Sequence, residues 1–130
     1  MAGRESLLPD DWRRRGQADL EAAGILLDND GDMQVVAALV QQGVEKHLKG
    51  WLLSRGWRLV RTHELQRLLD DAVEHDPTLV GFYVLCERLT AFYYVDRYPF
   101  MAEAPEASVV REALEEAREF VGRLLTIERS

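Results

Sequence analysis

The chain has 130 residues, of which 47% are hydrophobic and 30% charged, and its formal net charge is -7. That length holds one domain and one core, because folding at this size removes roughly two thirds of the unfolded surface from water, and the composition excludes a disordered or fibrous chain. The acidic balance argues against a general grip on nucleic acid, which draws most of its affinity from Lys and Arg neutralising phosphates. Local basic patches remain at Arg13-Arg14-Arg15 and at Arg55, Arg58 and Arg61, while the acidic excess sits late, between Glu103 and Glu119.

Helical spacing recurs along the chain and no alternating strand pattern persists beyond a few positions, so the expected fold is all-α. A first helix is predicted to start at Pro9-Asp10-Asp11, where proline and early carboxylates suit a helix N-terminus, and to stop at Asn29-Asp30-Gly31-Asp32. The second runs from about Met33 to Arg55, with Gly56 placed just beyond its end. Thr62 reads as the N-cap of a third, whose apolar stripe is Leu65, Leu68, Leu69, Ala72 and Val73. His75-Asp76-Pro77 interrupts the pattern. A fourth helix carries Leu79 through Tyr93, Pro99 and Pro105 bracket a loop, and a fifth runs from about Glu106 to Glu128. Four to five antiparallel helices with short connections make an up-and-down bundle, a single domain over residues 1–130.

The longest apolar run, Val35 to Val40, falls far short of the ~20 residues of a membrane span, and the N-terminus MAGRESLLPDDWRRR has no apolar signal-peptide core. The expectation is a cytoplasmic protein with no membrane contact. The single cysteine, Cys86, has no partner for a disulfide or a metal site and reads as core filler.

The stretch QQGVEKHLKGWL, residues 41–52, puts polar chemistry in the middle of the second helix. At 100° per residue Val36, Val40, Val44, Leu48 and Trp51 share one face, while Gln41, Gln42, Glu45, Lys46 and Lys49 form a stripe of their own. On a solvated helix the Glu45/Lys49 pair contributes only ~0.2–0.5 kcal/mol, so the stripe is either a plain solvated face or a recognition surface. His47 lacks a second ligand at helical spacing and reads as a packed or interface residue. Gly43 and Gly50 weaken the helix, which is compensated where another helix, including one from a second subunit, approaches closely. No GxxxxGK[ST], GxGxxG, HExxH or Cys/His cluster is present, so no metal or cofactor is expected.

Gln41-Gln42, Glu45-Lys46 and Lys49, then Thr62-His63-Glu64-Leu65, then Arg97-Tyr98-Pro99 occur in an order that resembles the HEPN domain family, in the sub-family with QQxxEKxxK, THxL and RYP motifs, over about residues 12–126. The resemblance implies a compact helical bundle, commonly a homodimer or higher oligomer, often encoded beside a nucleotidyltransferase of the MNT type, with members described as nucleotide-binding and some branches acting as ribonuclease toxins. Those branches carry an arginine followed four to six residues later by a histidine, suited to acid–base chemistry on a ribose hydroxyl with charge stabilisation at the phosphate. The matching arginine here is Arg97, and Tyr98 through Ala104 contain no histidine, which leaves no assigned catalytic residue; Arg58 and His63 satisfy the bare spacing at a different place in the pattern.

The expected function is a non-catalytic nucleotide-binding and partner-binding module that meets nucleotide through Lys46, Lys49, His63, Arg97 and Tyr98, with Phe92-Tyr93-Tyr94 offering rings for stacking or serving as core. The competing readings are a ribonuclease toxin with a degenerate site, in which RNA is the ligand, and a plain dimerisation scaffold.

Overall fold

The computed structural model of the chain describes residues 5–97 and 104–129; the side chains of 95–97 and 128–129 lie outside that description. Five α-helices form the bundle: α1 Pro9–Asp28, α2 Met33–Leu53, α3 Leu65–His75, α4 Tyr83–Arg97 and α5 Ala107–Arg129. No strand occurs among the described residues. The loop expected between Pro99 and Pro105 falls mostly outside them.

The turn between α1 and α2 is built by local chemistry. Gly31 N donates to Leu26 O at 2.7 Å, Asp30 takes φ 57, and the Asp32 carboxylate accepts from Gln34 N at 2.9 Å and Val35 N at 3.1 Å. That N-cap satisfies two of the donors a helix start leaves open. α1 then runs back antiparallel along α2, with Leu20 over Gly43, Gly16 between Gly43 and His47, and Pro9 and Trp12 over Gly50.

The close approach that Gly43 and Gly50 imply is therefore made by α1 of the same chain. A Cβ on Gly16 would lie 2.9 Å from Gly43 O and 2.8 Å from His47 Cδ2, and one on Gly43 would lie 3.1 Å from Gly16 O and 2.6 Å from Leu20 Cδ2. Backbone oxygen cannot step aside, so overpacking of ~1–3 kcal/mol outweighs the helix-propensity gain of up to ~1 kcal/mol. Gly16→Ala is expected to lower the urea midpoint, whereas Gly122→Ala on α5, where an added Cβ meets nothing within 4 Å, raises it. Equal shifts for the two variants would contradict this assignment.

α2 is the central element, packed against α1, α3, α4 and α5. Between Val36 and Leu52 only Leu39, Gln42 and Lys46 escape full burial, a strip one residue wide along the helix. Its apolar face, Val36, Val40, Val44, Leu48 and Trp51, joins Phe120 of α5 and the α3 leucines in one core. Cys86 fills space in that core, and burial pushes its thiol up to about 12.

α3 begins later than its sequence suggests. Thr62 Oγ1 accepts from Glu64 N at 3.1 Å and so makes a turn; the open donor at the helix start, Leu65 N, is met at 3.1 Å by Thr90 Oγ1 from α4. Thr90 in turn donates to Gln66 Oε1 at 2.7 Å. Beyond α3, Pro77–Phe82 winds as a 3-10 helix before α4 starts, with the Asp76 carboxylate accepting from Thr78 N and Thr78 Oγ1. Those two bonds hold the Asp76 carboxyl below its ordinary range.

Candidate functional site

Three members of the polar stripe of α2 are buried, and Gln42 and Lys46 are only partly exposed. Gln41 is 0% exposed, Glu45 5% and Lys49 3%. Burying a carboxylate and an ammonium costs several kcal/mol each unless their remaining lone pairs and protons are met. They are met here by a compact knot: Glu45 Oε2 accepts from Lys49 Nζ at 3.1 Å, and Glu45 Oε1 accepts from Gln41 Nε2 at 3.0 Å. Helical spacing supplies these two partners, since Gln41, Glu45 and Lys49 stand one turn apart.

The third partner comes from the connection before α3. His63 Nδ1 lies 2.9 Å from Glu45 Oε1, and Gln41 Nε2 also reaches His63 O at 3.4 Å. A carboxylate oxygen can only accept, so Nδ1 carries the proton and donates to it, leaving Nε2 outside this bond. The His63 ring stacks on Tyr93 of α4 with centroids 4.5 Å apart and planes 14° from parallel, while its side chain stays 48% exposed. Tyr94, itself exposed, meets Tyr93 edge-on at 5.5 Å. One imidazole is thus fixed at both an edge and a face and still reaches solvent.

Lys46 turns away from the knot. Its Nζ lies 2.5 Å from Asp19 Oδ2 on α1, a carboxylate that is itself buried. Lys46 also borders a cavity of about 190 Å3 with Trp12, Arg15, Glu5, Asp11 and Ser6, where carboxylates and cations balance. Lys49 is covered on its other side by Trp12, with Nζ 5.4 Å from the ring centroid. Of the sequence-predicted residues, Lys49 and His63 therefore meet on Glu45, and Lys46 is committed to α1. Arg97 closes α4 one turn beyond Tyr93; its side chain, and all of Tyr98, lie outside the described residues.

His47 is a packed residue. It is 4% exposed, its Cδ2 lies against Gly16, and its buried Nε2 has no partner among the described residues. Burial, followed by the charge of Arg13, lowers its pKa to about 4, against a smaller opposing pull from Asp19. It is neutral near pH 7 and takes no part in proton transfer there.

Gln41 and Tyr93 enter the site as supports. The Gln41, Glu45 and Lys49 spacing signalled a chain of contacts along one helix; nothing in the sequence signalled that Asp19 would claim Lys46. Among the described residues no group of three or more His, Cys, Asp or Glu could hold a metal ion, and no helix is long and apolar enough to cross a membrane. The model of the HEPN domain family matches residues 9–127. No curated protein and no solved structure matches the chain.

Proposed function

The chain belongs to the HEPN domain family, and from that premise we propose that it is a non-catalytic nucleotide-binding and partner-binding module, working as a homodimer with a separate nucleotidyltransferase of the MNT type. Family membership supports a nucleotide- or RNA-related role. The observation that carries the reading is the His63 ring, anchored on Glu45, stacked on Tyr93 and half exposed, with Tyr94 edge-on to Tyr93. Stacked aromatic faces suit nucleobases because every base offers a π-face. Arg97, one turn further along α4, is a cation of the type that recognises phosphate.

Calorimetric titration with ATP and GTP, on the protein alone and on its complex with a co-encoded transferase, is expected to give saturable binding. Absence of heat with every nucleotide in both settings removes the proposal. Transferase chemistry belongs to the partner, since the chain carries no glycine-serine and paired-aspartate set of its own.

One observation favours a second reading. A carboxylate holding an imidazole Nδ1 is also the arrangement of a general base, so the Glu45/His63 pair is compatible with a ribonuclease toxin that uses His63 in place of the histidine missing after Arg97. That reading predicts RNA cleavage and growth arrest on expression, both lost in His63→Ala; the binding reading predicts intact RNA and normal growth.

A further inference from the structure

The charges around the His63 knot decide which part of a nucleotide it can take. Lys49 is spent on Glu45 and covered by Trp12, and Lys46 is spent on the buried Asp19 carboxylate. A phosphate reaching either ammonium would strand a buried carboxylate, which costs more than the new contact returns. Both lysines of the motif are thus engaged within the bundle.

The aromatic side of the knot is different. Tyr93 covers one face of the His63 ring, 48% of the side chain is exposed, and among the described residues no second ring stacks on it. Glu45 accepts from Nδ1 and so prevents the ring from turning off the tyrosine. A pre-oriented flat ring stacked on one face only takes another flat ring at little ordering cost. Tyr94 supplies a second exposed ring, edge-on to Tyr93.

We infer that the open face of His63 is a nucleobase stacking site, completing a pile of Tyr93, His63 and the base, and that this chain binds its ligand through the base with the phosphates directed away from Lys46 and Lys49. The inference rests on the nucleotide reading above and specifies its contact. In the neutral ring with its proton on Nδ1, Nε2 is an acceptor suited to a ribose hydroxyl. The base can come from a free nucleotide or from the end of an RNA strand, and both present the same ring.

The test uses the full chain and three probes, adenosine, ATP and a short oligoadenylate, followed by calorimetry and by the His63 ring protons in NMR spectra. Adenosine is expected to bind within about tenfold of ATP, with little salt dependence, because few phosphate contacts contribute. His63→Ala is expected to weaken both by about tenfold or more, and His63→Phe, which keeps the flat face, to retain most of the affinity. The His63 ring protons of the wild-type chain move upfield as a base stacks on them. Tighter binding of oligoadenylate than of adenosine identifies a strand as the source of the base; equal binding identifies a free nucleotide. If ATP binds and His63→Ala binds it equally well, or if the ring protons stay still, the stacking site is wrong while the nucleotide reading stands. If none of the probes binds the chain, the stacking site is wrong, and the nucleotide reading is decided by the ATP and GTP titrations of the transferase complex.

Discussion

Glu45→Ala is expected to lower the unfolding free energy by about 3–5 kcal/mol, measured by urea denaturation at neutral pH. The carboxylate is 5% exposed and receives Lys49, Gln41 and His63 together. Removing it leaves a buried ammonium whose remaining neighbour is the Trp12 ring, and frees two further donors. Against a total stability of roughly 5–15 kcal/mol for a domain, that loss is a large fraction. The origin of the effect is the stranded charge, so the double variant Glu45→Leu with Lys49→Leu is expected to be much less damaged than Glu45→Ala alone. A loss below about 1 kcal/mol in Glu45→Ala would mean that the knot is solvated and that the pair behaves as an ordinary surface ion pair.

Acid is expected to weaken the fold through His47. Its folded-state pKa is lowered from 6.5 to about 4, so the unfolded chain binds a proton that the folded chain refuses. Stability from this group is fully present above pH 6.5, falls as pH drops below that value, and is lost by about pH 4. The shift corresponds to about 3 kcal/mol. The groups that face the ring are Arg13, which opposes protonation, and Asp19, which favours it but is already paired with Lys46. Carboxylates titrate over part of the same range, so the measured quantity is the difference between the wild-type chain and His47→Gln. The variant should show a flatter dependence of unfolding free energy on pH between 6.5 and 4; parallel curves would contradict the assignment.

The architecture was readable because α2 carries an unambiguous apolar face, because Asn29-Asp30-Gly31-Asp32 and Gly56 mark helix ends, and because Pro9 and Pro77 mark starts. Periodicity reports which residues share a side of a helix. It does not report whether that side is covered, which is why the Gln41, Glu45 and Lys49 stripe reads equally as solvated face or recognition surface until α1 and the His63 connection are seen to close over it. Gly43 and Gly50 announced a close neighbour without saying whether it belonged to the same chain; Gly16, at the contact, identifies α1. The start of α3 lies beyond Thr62 for the same reason, since its open donor is met by Thr90, 25 residues away. Long-range partners such as Thr90 to Leu65, Asp19 to Lys46 and Tyr93 to His63 have no local signature. The two lysines of the motif look alike in the sequence, and their partners separate them: Lys49 is buried on Glu45, whereas Lys46 is partly exposed and pairs with Asp19.

The account turns on His63 being held through Nδ1 by a buried carboxylate and offered through its open face to a ligand. Nitrogen-15 NMR of the imidazole at alkaline pH, before and after addition of ATP, addresses both halves at once. The predicted result is a ring protonated on Nδ1 and bare on Nε2, whose signals move as nucleotide is added. A ring protonated on Nε2, or one whose signals ignore saturating ATP, would contradict it.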